Sequence, residues 1–358
     1  MKHVKNNPKN ATSNSLNSLW RRKKGVIDVQ FNWIFVMIAG FIIFLFIISI
    51  VFSQKRNADA QASIGTINQI STLLKSRQQT ANVYSEITLP RTDLSFMCDP
   101  EADYTRGFTF KISNAERTQL PTEIIFAPPS ITTNKIMVWS QAFDLGFPVS
   151  VFSYITTADA AILIFNDSDN TNEYAKELYI DLDTASNITH KYIASTTEYS
   201  SFARRTIVCF NDKCPSPNNN DYINISPGSS GIFEYGNVTF HKKGQQASAD
   251  KSLPYITKAG LYGAIFSASS NFYSCQMSRA LKQFEIKRAL VESRLKLMQD
   301  DLPEGTCKLT LEVTVDSEIH PMNNPGFNWN NVTLLYGKSL DLDRDNTDLT
   351  MNSCPKIY

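Results

Sequence analysis

A run without a single charged residue extends from Val29 to Gln54, and from Ile34 to Phe52 it is almost wholly apolar. About 20 apolar residues in helical form cross the hydrocarbon core of a bilayer. Backbone groups in lipid must satisfy one another, so such a segment has to be a helix. No second stretch of the chain approaches it, which predicts one membrane span and excludes a polytopic protein.

The flanks predict the orientation. Arg21, Arg22, Lys23 and Lys24 precede the span, with Lys2, Lys5 and Lys9 further back, whereas only Lys55 and Arg56 follow closely. The excess of positive charge marks the cytoplasmic side. Residues 1–25 are therefore read as a basic cytoplasmic leader and 26–53 as the transmembrane helix. Up to residue 56 there are nine Lys/Arg and one acid, Asp28, which leaves 26 basic and 33 acidic residues for the remainder. The larger part is mildly acidic, so nucleic acid is not an expected partner.

Beyond the span, Ile64, Ile67, Ile70 and Leu74 recur at helical spacing with Leu73 beside them. This predicts a stalk helix over 54–80, its apolar face packing on its own domain or on a partner helix. Residues 81–358 are expected to form an extracytoplasmic mixed α/β domain, mainly β at first, with a sub-boundary near 215–260. The fold class is α+β. Strands are expected at 108–112, 123–126, 135–139, 148–152, 161–165, 206–210, 222–226 and 232–241. Leu261–Ser267 and Lys308–Val315 also read as strands. Short and long helices are expected at 172–183 and 277–298. In the long helix Met277, Leu281, Phe284, Val291, Leu295 and Met298 form the buried stripe, widened by Ile286, Leu290 and Leu297. The tail from Pro321 reads as irregular.

All six cysteines lie beyond the span, as expected of a disulfide framework in an oxidising compartment. Six allow 15 pairings. Spacing suggests that Cys209–Cys214 closes its own turn and that Cys275–Cys307 brackets the long helix, which leaves Cys98–Cys354. Zinc is the other option, with His190, His241 and His320 available, but paired Cys-x-x-Cys spacing is missing. Asn166, Asn187, Asn224, Asn237 and Asn331 head Asn-x-Ser/Thr sequons and are glycosylation candidates. Asp341, Asp343 and Asp345 alternate as carboxylates do in calcium loops, although Asn346 stands where the turn glycine belongs. Asp167 to Glu173 is a looser version. No His-Glu-x-x-His, Gly-x-Ser-x-Gly, phosphate loop or dinucleotide fingerprint occurs, so neither a catalytic site nor a cofactor is expected.

Lys24-Gly25-Val26-Ile27, a basic residue, a glycine and two apolar residues opening a membrane helix, resembles the class III signal of archaeal type IV pilin-like proteins. The resemblance implies cleavage after Gly25 and assembly through the helix; Asp28, three residues after Gly25, departs from the bacterial pattern. Gln30 to Phe35, together with Ile136–Ser140, Phe147–Val149 and the Cys275 helix, is similar to uncharacterised archaeal single-span membrane proteins, which bears on topology. These readings converge on an anchored extracytoplasmic protein with a binding, structural or assembly role. Partners are then the bilayer and a protein or second copy met through residues 26–80. The alternatives are a pilin-like subunit and, more weakly, an extracytoplasmic hydrolase or sugar-active domain.

Overall fold

The computed structural model describes residues 16–77, 80–99, 108–112, 118–119, 123–165, 172–184, 188–194, 202, 204–211, 214, 221–229, 232–244, 251–323 and 326–358. The chain is α+β and divides into two units between Ala62 and Ser63.

A helix, α1 (Leu16–Arg77), runs for 62 residues. Its segment Asn32–Ala58 is long and apolar enough to cross a membrane. The large side chains there cover nothing in the protein: Phe35 is 71% exposed and Phe46 66%. A continuous apolar surface of this size is stable against lipid and not against water. Beyond the division the same helix changes its use. Ile67, Ile70 and Leu74 are buried in a core cluster with Leu94, Phe96, Phe110 and Ile136, so the stalk stripe packs on its own domain. The side chains of Ile64 and Leu73 lie outside the described residues.

The unit Ser63–Tyr358 is built on two six-stranded sheets. The first contains β1 (Tyr84–Cys98), β2 (Phe108–Ile112), β3 (Thr118–Gln119), β4 (Ile124–Phe126), β5 (Ser130–Asp144) and β6 (Pro148–Thr157). Its order is β3-β2-β1-β5-β6-β4, antiparallel except where β4 runs parallel to β6. The second contains β7 (Ala160–Phe165), β8 (His190–Ile193), β9 (Arg204–Phe210), β10 (Tyr222–Ser229), β11 (Ile232–His241) and β12 (Lys251–Ile256), in the order β12-β11-β10-β9-β7-β8. Strands β8, β7, β9 and β10 are parallel, and β11 and β12 add antiparallel. Most of the described residues within 215–260, where a sub-boundary is expected, belong to β10, β11 and β12 of this sheet. The crossover between β7 and β8 is α2 (Glu173–Thr184).

Helix α3 (Thr257–Ser267) touches strands of both sheets and is buried from Ala259 to Ser267. Its Ala259 carbonyl accepts a 2.8 Å hydrogen bond from Tyr154 of the first sheet. This corrects the expected strand at 261–267. A segment apolar on every side has no period to read, and here it fills the space between two sheets. Helix α4 (Ser270–Asp301) follows, then α5 (Thr306–Thr314), a π-helical turn (Val315–Ile319) and α6 (Trp329–Met351). The expected strand at 308–315 is therefore helical: Leu311, Thr314 and Val315 face the core at helical spacing, and the alternating Leu309 and Val313 stay exposed. The tail is also ordered, with the Asn328 side chain capping α6 by accepting the Asn331 amide at 3.0 Å.

All six cysteines are paired. Cys209–Cys214 is as expected, but the other two pairs are Cys98–Cys275 and Cys307–Cys354, with Cα separations of 6.1 and 5.5 Å. The expected Cys275–Cys307 bridge fails on length. These residues flank most of α4, which at 1.5 Å per residue separates them by roughly 40 Å, far beyond the ~7 Å limit for a disulfide. Cys275, near the start of α4, instead meets the end of β1. The expected Cys98–Cys354 falls with it, because α6 returns the C-terminus to the start of α5.

Candidate functional site: a basic cleft at one end of the second sheet

Parallel strands begin at a common sheet edge, and an antiparallel neighbour ends there. Strands β9 and β10 start, and β11 finishes, at the same end of the second sheet. Register pairs Arg204 with Ala160 and Tyr222 with His241. This places Arg204 and Arg205 at the start of β9 and Lys242 and Lys243 just after β11 at the same sheet end, with the start of β10 between them. Together they line a cleft of about 650 Å³. Ser130, Thr132 and Thr157 of the first sheet and Ala268–Ser270 at the start of α4 complete its wall.

Each basic group is held differently. Arg204 is half-buried and donates from Nη1 to the Ser130 carbonyl at 2.9 Å, which ties the two sheets together. Burial pulls its guanidinium below its ordinary value, yet an arginine keeps its charge at neutral pH. Lys243 donates its backbone N–H to Asp221 Oδ1 at 2.6 Å, which fixes the turn after β11 and leaves the ammonium exposed. His241 is buried, its ring stacked on Tyr222 at 4.5 Å between centroids. Four basic side chains and two carboxylates, Asp159 and Asp221, thus line the cleft, in a domain whose overall charge is negative.

Helix α4 adds to this field. It is 32 residues long, and the side chain of Ser269 at its N-cap makes no capping hydrogen bond. Ala268–Ser270 line the cleft, so the positive end of the helix dipole lies at its wall. Basic side chains from β9 and the turn after β11, together with a helix start, line the cleft, and such groups suit an anion.

No protein-family model matches the chain, and neither a curated protein nor a solved structure is significantly similar to it.

A second hollow, lined by Tyr84, Trp139, Gln141, Asp181, Lys258 and Tyr262, has about 630 Å³. Its charges are matched internally. Lys258 pairs with Glu177 at 2.5 Å and Asp181 at 3.0 Å, and Tyr262 donates to Asp181 at 2.5 Å. Burial lowers Lys258, but the hydrogen bonds to Glu177 and Asp181 outweigh it and raise its pKa. A lysine held by two carboxylates has little charge left for a ligand.

The residues singled out from sequence are placed elsewhere. Asp341, Asp343 and Asp345 lie in α6, where residues two apart point about 200° away from each other. Asp341 accepts from Arg344, Asp343 from Tyr358 and Asp345 from Thr314. The calcium reading is corrected accordingly: a helix cannot converge these carboxylates, and no metal-holding group of His, Cys, Asp and Glu occurs among the described residues. In the looser acidic run, Asn172 caps α2 by accepting from the amides of Tyr174 and Ala175, while 167–171 lie outside the described residues. Asn224 sits buried in β10 between two strands, an environment that does not suit a glycan. Asn237 is half-buried on β11, and Asn331 donates its side-chain amide to Gly326 at 2.9 Å. Asn166 and Asn187 lie outside the described residues. Gly25 falls within α1. Sequence reasoning missed all four cleft cations. They come from strand ends 37 residues apart, and the one available signal was the adjacent pairs Arg204-Arg205 and Lys242-Lys243.

Proposed function

We propose that the chain is a single-pass membrane protein, its N-terminus cytoplasmic and its Ser63–Tyr358 unit extracytoplasmic, that binds an anionic ligand in the cleft between β9, β11 and α4. The anchor reading draws support from the exposed apolar segment of α1, and the oxidising location from three disulfides. The binding reading rests on one observation: four basic side chains and the start of α4 line one cleft of a domain that is acidic overall.

The test is a titration of the full chain in nanodiscs with inorganic pyrophosphate and, separately, with dextran sulfate. Each charge-assisted hydrogen bond contributes about 1.5–3 kcal/mol. Lys242→Ala and Lys243→Ala are each expected to weaken binding at least tenfold, with a further loss at high salt. Lys191→Ala, on β8 outside the cleft, is expected to bind normally. Failure of both probes to bind the unaltered protein refutes the anion-binding reading.

The pilin-like alternative, cleavage after Gly25 and assembly through residues 26–80, has in its favour that α1 is unbroken and exposed across the span. Against it, the last turns of that helix are used by its own domain. The N-terminal mass of the mature protein decides, and an intact Met1 removes the pilin version.

A further inference from the structure

Helix α4 has two faces of opposite use. Leu281, Phe284 and Leu295 are buried in the core, whereas Ile286, Leu290 and Leu297 are 51%, 70% and 67% exposed. These three do not widen the buried stripe as their sequence spacing suggests. At 100° per residue they fall within about 40° of one another and form a separate ridge along the outer crest. Lys282 and Lys296 lie on one side of that ridge, Lys287 and Arg294 on the other, and all four are exposed. Of the acidic residues of α4, Asp300 and Asp301 are exposed one turn beyond Leu297, at the end of the ridge, and the other two lie further round. Glu285 is half-buried, and Glu292 is tied to Arg288, Lys296 and His320.

An aliphatic ridge between two basic rows is the pattern of a helix that settles into the headgroup layer of an anionic bilayer. A second copy fits it poorly, because pairing ridge to ridge sets basic rows against basic rows. A bilayer is also the surface that the chain's own anchor brings within reach. The apolar segment ends at Ala58 and the folded unit begins at Ser63.

We infer that the Ile286–Leu290–Leu297 crest of α4 docks on anionic lipid headgroups. The inference rests on the membrane-anchor reading but not on the cleft. Its test uses the full chain with Ser293→Cys, in the middle of the crest, labelled with a fluorophore. The chain is placed in nanodiscs of phosphatidylcholine alone or with phosphatidylglycerol, each carrying a lipid-borne nitroxide quencher. Disc incorporation, read by size, reports on the anchor separately. Quenching is expected in the anionic discs and not in the neutral ones. Each basic residue near an anionic surface strengthens attachment about fivefold, so Lys282→Ala with Arg294→Ala lowers the docked-to-free ratio roughly 25-fold. Leu290→Ser with Leu297→Ser, both at exposed positions, abolishes the quenching without unfolding the core. No quenching in anionic discs overturns the inference. So does quenching that neutral lipid or these variants leave unchanged, or a signal that follows the number of chains per disc, which marks a second copy as the occupant.

Discussion

The disulfides give a graded prediction. Replacing each pair by alanine releases a loop in the unfolded chain whose size is set by sequence separation: 177 residues for Cys98–Cys275, 47 for Cys307–Cys354 and 5 for Cys209–Cys214. If cross-links act by restricting the unfolded ensemble, the losses are about 5, 4 and 2 kcal/mol respectively. The large value belongs to a bridge joining the first sheet to α4, with the whole second sheet between its ends. Thermal and urea unfolding of the three double variants, oxidised and in the same detergent, checks the order. Trp139, buried in the core, reports the transition by fluorescence. Peptide mapping under non-reducing conditions confirms the pairing first. Equal losses in the three variants, or a smaller loss for Cys98–Cys275 than for Cys209–Cys214, would refute the chain-entropy argument and leave local packing as the cause.

Gly263→Ala in α3 would set a methyl group 2.8 Å from the Phe126 ring, itself fully buried against Phe152 and Tyr154. Overpacking costs about 1–3 kcal/mol and outweighs a helix-propensity gain of about 1 kcal/mol. The reverse sign is expected for Gly337→Ala in α6, where nothing lies within 4 Å; urea midpoints compare the two, and destabilisation by both would refute the packing argument. For acid stability, the hydrogen bond from Lys296, opposed by burial and aided by Arg288, lowers Glu292 to about 2 from an ordinary 4.5. A depressed carboxyl contributes stability above its unfolded value, and that share is lost as pH falls from about 4.5 toward 2. Glu292→Gln should cost roughly 1–2 kcal/mol at pH 7, with the surface-facing Lys296 share discounted, and flatten the melting-temperature curve over that window; parallel curves would refute it.

What was legible in the sequence follows from where the physics is local. The long apolar helix declares itself by length, and strands such as 148–152 and 161–165 by short apolar runs between turns. The stripe Met277–Met298 shows itself by its period. Helix α3 was illegible because its surroundings are apolar on every side, so its pattern is the same whether helix or strand. Helix α5 was misread because Leu309 and Val313 alternate with its core residues and yet face water. The basic cleft depends on strand order: Arg205 and Lys242 line one hollow only when β9 and β10 start where β11 ends. The carboxylates of α6 made the opposite error, an alternation in sequence that a helix disperses in space.

Under the proposed anchoring in a bilayer, the Cys98–Cys275 bridge has a mechanical consequence. Tension between the anchor and the C-terminus would pass along the chain to Cys98, cross to Cys275, continue to Cys307 and cross again to Cys354. Only about 70 residues beyond Ser63 lie on that path, enough for roughly 250 Å of extension. The second sheet, with β9, β10 and β11, is a covalent bypass that carries no load. Shear strong enough to strip β1 from its neighbours would leave the three strands that gather the cleft's cations unstretched for as long as the bridges remain oxidised.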